Sequence, residues 1–375
     1  DLPYYSVSKS PYIKQGRLLR PFPSFILDTN LQSNIGNMQG NFFLDFYHSN
    51  GINPGSKKKY YYNTRYFWCL GYSCIAYIIF LTMETMDEPI FKTVAVIGTG
   101  VLGGSIGLAV KAADERITVI GIGRRKSTLE RAIKAEAIDD MTLDTAKGVS
   151  QADIVILATP MSAYEKHLLD MRDALPRNAV VTDVGSTKAI VVKLAQSILG
   201  KDGPFVGSHP MAGSERQGVE FARADLFKGA TCIVTPTQHT KASCLKKVVK
   251  FWKMLGANVV RLSPREHDKA VAYVSHLPHI LAALIIACQN SKYIKLAGKG
   301  FIDTTRVASG SPDMWREIIL TNRKAILSAI DQADEQLMYL RDLIEAGDGE
   351  GIEQYLARAK ARRDALIAKQ LKHLD

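Results

Sequence analysis

Three short stretches of this chain carry residues whose types and spacing suit chemistry. Gly98, Gly100 and Gly103, in "VIGTGVLGGSIG", form the pattern G-x-G-x-x-G. The first glycine permits a tight turn, the second lets backbone approach a pyrophosphate, and the third lets a helix pack closely on a strand. Val101 and Leu102 fall between them, where N–H groups at a helix start face phosphate. The second stretch is "GIGRRKS", with Arg124 and Arg125 directly after Gly123. No carboxylate stands there to hold a ribose hydroxyl or repel a 2′-phosphate, and two guanidiniums are available to grip one. NADP is therefore favoured, with NAD possible. The third is "FVGSHPMAGSE", where His209 is the one imidazole among small residues, a proline and two glycines. An imidazole titrates near neutrality and can accept a proton from a substrate hydroxyl.

Alternating elements must position these groups. Val94 to Ile97 read as a buried parallel strand, and "ITVIGIG", "ADIVILATP" and "AVVTDVGS" as further apolar strands ending in small or polar residues. "FVGSHP" and "ATCIVTP" are two more, and the intervening segments have helical length and period. The expected fold class is a Rossmann-type α/β dinucleotide-binding domain, a parallel sheet with helices on both faces. Ligands of such sheets bind beyond the carboxyl ends of the strands. Thr159 with Pro160, Ser186 and His209 each follow a predicted strand and so belong on one rim. His209 is expected on a loop there, beside the nicotinamide.

After residue 262 the pattern changes to helix. "SPREHDKAVAYVSHLPHILAALIIA" opens with a capping box, with Ser263 as N-cap, Pro264 next and Glu266 third. Pro278 is expected to kink this helix. His276 and His279 are three residues apart, but no third ligand completes a metal pattern, so no metal is expected. Another helix opens at "SGSPDMWREI". Ile326, Ile330, Ala333, Leu337, Leu340 and Ile344 then form a four-three apolar seam, suited to core or to a second subunit. A basic helix follows "GDGEG". The expected organisation is a dinucleotide-binding domain over 90–262 and an all-α substrate and dimerisation domain over 263–372.

Composition excludes several classes. The net charge is +11, and residues 1–82, with eight Lys/Arg against three Asp, carry +5 of it. The remaining +6 forms no basic-aromatic stripe, so no nucleic-acid partner is expected. A mild positive excess suits small anionic ligands. The cysteines, Cys69, Cys74, Cys232, Cys244 and Cys288, form no CxxC pair and are odd in number, as in a reduced cytoplasmic protein. Residues 1–85 do not match the rest, since ten of the fifteen tyrosines lie within residues 1–82. Tyr66 to Met83 run eighteen residues without a charge, a short candidate for a membrane anchor. The expectation is instead that "METMDEP" marks the natural start, at Met83 or Met86. Residues 1–85 are then an extension outside the working enzyme, with no membrane partner.

The order of motifs resembles the prephenate dehydrogenase family, whose members also include arogenate dehydrogenases of tyrosine synthesis. The resemblance runs from about Phe91 to about Arg363 and rests on "VIGTGVLGGSIG", "TDVGSTK", "GSHPMAGSERQGVEFARADLF", "SHLPH" and "TTRVASGSPDMWREI". It implies a monofunctional cytoplasmic enzyme, a homodimer built by the helical domain, and NAD(P)-dependent oxidative decarboxylation of prephenate to 4-hydroxyphenylpyruvate. By the same resemblance His209 is the catalytic histidine and Ser186 the serine that assists it. Arg306 holds a substrate carboxylate, His276 is a second active-site histidine, and Glu215 and Trp315 lie near the substrate. Arogenate remains an alternative substrate, because no residue read here distinguishes a side-chain keto from an amino group. The competing readings are another dehydrogenase or an imine reductase of the same plan, and a catalytically silent NADP sensor.

Overall fold

The computed structural model describes Pro89 and residues 91–371, except 214, 215 and 291. The segment 1–85, its apolar run and Glu215 lie outside the described residues.

The described chain begins β1 (Thr93–Ile97), α1 (Val101–Ala113), β2 (Thr118–Ile122), α2 (Lys126–Lys134), β3 (Asp140–Thr142) and α3 (Thr145–Val149). It continues β4 (Ile154–Leu157), α4 (Tyr164–Met171), β5 (Val180–Asp183) and α5 (Ala189–Leu199). The five strands lie in the order β3-β2-β1-β4-β5, every neighbouring pair parallel. The order reverses between β1 and β4, which makes their carboxyl ends the crevice where such sheets take ligands. Successive side chains of β1 serve opposite layers, as a strand's period of two requires. Val94 and Val96 pack with Ile106, Val110 and Phe251, and Ala95 and Ile97 with Leu157, Tyr164 and Leu168.

Beyond β5 the sheet departs from the expected parallel run. Phe205 pairs parallel to Val181 as an isolated bridge, and the Val206 N–H donates to the Val181 carbonyl at 2.9 Å. The chain thus passes along β5 before forming β6 (Gly207–Pro210). β6 then pairs antiparallel with β7 (Thr231–Thr235), and β7 parallel with β8 (Asn258–Arg261). Parallel neighbours are usually joined by a crossover helix. Between β6 and β7 the described residues contain only the 3₁₀ turn Val219–Phe221, whereas α6 (Ala242–Met254) makes the crossover from β7 to β8.

The helical part consists of α7 (Pro264–Val271), a π turn (Ala272–His276), α8 (Leu277–Ala287), α9 (Lys299–Thr305), α10 (Pro312–Thr321), α11 (Arg323–Glu345) and α12 (Gly349–Leu371). The capping box is present: the Glu266 N–H donates to Ser263 Oγ, and the Ser263 N–H donates back to the Glu266 carboxylate. The expected kink at Pro278 takes the form of the π turn just before it, where a wider ring accommodates the missing N–H. Among the described residues, Pro264–Ala287 is the one helix long and apolar enough to cross a membrane by length and composition. It nevertheless buries four polar side chains, His267, Asp268, His276 and His279. The apolar seam of α11 is covered only at its start. Ile326 is buried against Ala272, while Leu337 and Ile344 are each 61 % exposed on the single chain.

Candidate active site

The glycine loop has the geometry its spacing predicts. Gly98 adopts φ +97°, which disfavours a side chain, and a Cβ there would lie 2.6 Å from the Ala158 carbonyl oxygen. A Cβ on Gly103 would fall 1.9 Å from the Gly98 carbonyl oxygen, so α1 touches the turn below it. Gly100 is the N-cap of α1 and faces open space, with nothing within 4 Å of an added Cβ. That opening lies where helix N–H groups lack intrahelical acceptors. Two hydroxyls at this crevice, Thr99 Oγ1 and Thr159 Oγ1, are buried without a hydrogen-bond partner. Buried polar atoms normally have partners, so the crevice fits a polar cofactor that supplies them. Val101, Leu102 and Thr159 are half-buried, and Pro160 is exposed beside Thr159. Arg124 and Arg125 are exposed directly after β2, whose Ile122 carbonyl accepts the Gly98 N–H at 2.8 Å.

His209 is not on a loop. It lies within β6, opposite Ile233, and is 8 % exposed. Ser186 is half-buried in the turn between β5 and α5. The bridge of Phe205 with Val181 carries His209, four residues later, to the level of that turn. A buried ion pair braces the two segments. Lys188 Nζ contacts Asp183 Oδ2 and donates to the Ser208 carbonyl at 2.9 Å. Asp183 also accepts the N–H groups of Ser208 at 3.0 Å and Gly185 at 2.9 Å. A buried pair breaks even only when its remaining hydrogen-bonding capacity is filled in this way.

From His209 a line of side chains runs into the helical part. His209 Nδ1 lies 2.8 Å from His267 Nε2, and His267 Nδ1 lies 2.8 Å from Asp268 Oδ1. Asp268 also accepts the backbone N–H of Lys188 at 2.7 Å and of Ala189 at 2.9 Å. Asn322 donates to the Asp268 carbonyl at 2.7 Å and contacts His276 Nδ1 at 3.2 Å. Thr187 Oγ1 donates to Thr321 Oγ1 at 3.1 Å, tying the Ser186 turn to the end of α10. Trp315 stacks on His279 at 3.5 Å between ring centroids and meets His276 edge-on at 5.9 Å. Arg306 is exposed and opens the 3₁₀ turn Arg306–Ser309, and Gly310 just after that turn packs against Trp315 and His279.

Burial keeps these imidazoles neutral. It pushes His209 well below the ordinary imidazole range, and the nearby His267, Lys188 and His276 further oppose a positive charge on its ring. It pushes His276 down to about 4. Burial also lowers His267, against the opposing hydrogen bond to Asp268. His276 Nε2 and His279 Nδ1 are buried without partners, two polar atoms available to a ligand.

The structure therefore gathers His209, His276 and Trp315 into one network, with Ser186 attached through its neighbours Thr187 and Lys188. Arg306 opens the turn that leads to Gly310, which packs against Trp315 and His279. Sequence reasoning missed Asp183, Lys188, His267, Asp268 and Asn322. Asp183 and Lys188 lie within the quoted "TDVGSTK" without having been singled out, and the adjacent "HD" in "SPREHDKAV" also suits the polar face of any helix.

A strand order of 3-2-1-4-5, a glycine turn under a helix N-terminus and a buried neutral histidine beyond the sheet define a dinucleotide-dependent oxidoreductase. Residues 106–261 match the family description "Prephenate dehydrogenase, nucleotide-binding domain", and residues 263–358 match "Prephenate dehydrogenase, dimerization domain". The chain belongs to the prephenate dehydrogenase family. It is 37% identical over 285 residues to the prephenate dehydrogenase of Bacillus subtilis, covering 74% of this chain and 77% of that protein. It is 31% identical to the cyclohexadienyl dehydrogenase of Zymomonas mobilis, covering 74% of this chain and 97% of that protein. Among solved structures, prephenate dehydrogenase from A. aeolicus in complex with hydroxyphenyl propionate and NAD+ superposes with a TM-score of 0.70 and 33% identity. That match covers 75% of this chain and 100% of the other. Synechocystis arogenate dehydrogenase superposes with a TM-score of 0.65 and 29% identity, over 73% and 99% of the two chains.

Proposed function

We propose that this chain catalyses the NAD(P)-dependent oxidative decarboxylation of prephenate to 4-hydroxyphenylpyruvate. The observation that carries this reading is the buried, neutral His209 at the carboxyl edge of the sheet, held to the helical part by its hydrogen bond with His267. The bound dinucleotide would be held by the glycine loop, Thr99 and Thr159, and supplies the hydride acceptor. His209 accepts the proton of the ring C4 hydroxyl as the C4 hydride departs. The ring carboxylate then leaves as carbon dioxide, its electron pair completes the aromatic ring, and the borrowed proton returns to the phenolate oxygen. Ser186 orients the hydroxyl or the imidazole. Arg306 grips a carboxylate, a positioning role typical of a guanidinium. His276 and Trp315 line the substrate side, and Glu215, six residues after His209 in the sequence, is placed near the substrate by the family resemblance alone.

We read residues 90–262 as the cofactor domain and 263–372 as the substrate and dimerisation domain. The exposed apolar side chains of α8 and α11, Leu284 and Leu337 among them, suit a second copy of the chain. A cytoplasmic homodimer with a small-molecule substrate, and with neither nucleic acid nor membrane as partner, fits this surface and the modest charge. Arg124 and Arg125 favour NADP, while the A. aeolicus relative holds NAD+. Arogenate is the second substrate reading, favoured by the likeness to an arogenate and a cyclohexadienyl dehydrogenase.

The test is a turnover assay crossing prephenate and arogenate with NADP and NAD, repeated on the double variant Arg124→Ala, Arg125→Ala. Prephenate is expected to be the better substrate, and the double variant to lose its preference for NADP with little change toward NAD. Turnover of neither substrate would end the reading. Wild-type use of NAD alone would end the 2′-phosphate role of the two arginines.

A further inference from the structure

We propose that Asp268, acting through His267, is a positioning residue that fixes His209 in its Nδ1–H tautomer and so presents Nε2 as a bare acceptor for the substrate proton. The inference rests on the reading of His209 as the base. It follows from counting protons along one line of atoms. Asp268 receives three N–H groups: the backbone donors of Lys188 and Ala189, and the ring of His267. A carboxylate can only accept, so His267 Nδ1 carries the hydrogen. A neutral His267 then has a lone pair on Nε2. The only hydrogen available to the 2.8 Å contact with His209 is the one on His209 Nδ1. A neutral His209 with its hydrogen on Nδ1 has its free lone pair on Nε2.

The same line acts during the reaction. The proton lost by the C4 hydroxyl forms a bond to His209 Nε2, and the ring becomes an imidazolium. Its Nδ1–H already points at His267, whose own Nδ1–H points at an anion. The positive charge is thus stabilised without exposure to water, in a site where burial alone opposes it. Asp268 does a second thing with its remaining capacity. By holding the N–H groups of Lys188 and Ala189 it anchors the start of α5, two residues beyond Ser186. One carboxylate therefore sets both the tautomer of the base and the position of the serine turn.

Other charged and titratable groups also face His209. Lys188 and Asp183 lie on the β5 side, His276 on the π turn and Cys232 on β7. All are retained when Asp268 or His267 is changed, so the experiment compares wild type, Asp268→Asn, His267→Gln and His209→Asn. For each, kcat and KM are measured across pH, and cofactor binding is titrated by fluorescence to show that the fold persists. His267→Gln offers His209 an acceptor but removes the link to the carboxylate, and it carries the test if Asp268→Asn does not fold. The expected result is a kcat reduced roughly ten- to hundredfold, the usual weight of an outer partner of a functional histidine. KM for substrate should change little, and the acid limb of kcat/KM should move to lower pH, because the anion that favours the imidazolium is gone. A kcat that does not fall, or one that falls with the acid limb unmoved, would overturn the proposal while leaving His209 as the base. Near-normal turnover by His209→Asn would overturn the base reading and this inference with it.

Discussion

The cofactor crevice and the histidine network sit on adjoining parts of the molecule and are built on opposite principles. The crevice is backbone: glycines that admit no side chain, a helix start, and two small hydroxyls. The network is side chain: four imidazoles, a carboxylate, an amide and an indole, tied by contacts that mostly join segments far apart in sequence. A backbone site fails when atoms are added to it. A side-chain network fails when atoms are removed. On the proposed function, the first kind holds a ligand common to many enzymes, and the second holds what is particular to one reaction.

The largest expected effect lies in the network. His209→Asn should bind cofactor normally and lose about two to four orders of magnitude in kcat, the usual weight of a general base. Steady-state kinetics beside a cofactor titration would check this, and a matched loss of cofactor affinity would blur the contrast between the two regions. Gly103→Ala tests the opposite principle. An added methyl would sit 1.9 Å from the Gly98 carbonyl oxygen, so the turn must shift. KM for the dinucleotide should rise roughly tenfold or more while KM for substrate changes little, since the cost of such strain is on the order of 1–3 kcal/mol. Unchanged cofactor kinetics would show that α1 yields where the geometry says it cannot.

A third comparison concerns the substrate edge. Arg306→Ala should raise KM for substrate about tenfold, through loss of a charge-assisted clamp, with a smaller effect on kcat. A rise in cofactor KM instead would assign the guanidinium to the other region. The smallest effect is on stability. The imidazoles of His209, His267 and His276 are held below their unfolded values, so the unfolded chain binds protons that the native one refuses. Their contribution is fully present above about pH 6.5 and is lost as pH falls toward about 4, the value for His276. Urea midpoints measured down that range should fall, and the fall should shrink in His276→Asn. An equal decline in that variant would place the acid sensitivity elsewhere.

These contrasts also explain what the sequence could show. Glycines at fixed spacing between an apolar strand and an apolar helix carry their own geometry, so the crevice and the parallel α/β alternation could be read in one pass. The capping box at Ser263 is local and equally legible. Lys188 is the counter-example. After a strand, in "GSTK", it reads as a solvated charge, yet it is fully buried because Asp183 and the Ser208 carbonyl enclose it. His267 and Asp268 read as one polar helix face, and only the fold shows that the face meets β6 and the start of α5. The antiparallel turn of β6 was hidden for a related reason. Strand direction depends on how the intervening chain returns, and the segment after His209 has no period to announce it.

The π turn at Ala272–His276 has a consequence for the rod it interrupts. A helix advances about 100° per residue, and a π turn inserts extra backbone without adding a full turn. Before it, α7 is phased so that His267 faces β6 and Asp268 the start of α5. After it, α8 keeps a phase of its own, in which His279 faces Trp315. The two halves work as separately keyed shafts joined by a coupling. Deleting one residue within the coupling would leave both shafts intact and their faces individually correct, yet rotate one against the other by more than a quarter turn. On the proposed function, alignment between proton chemistry and substrate recognition is thus stored in the length of these five residues as well as in the one site side chain among them, His276.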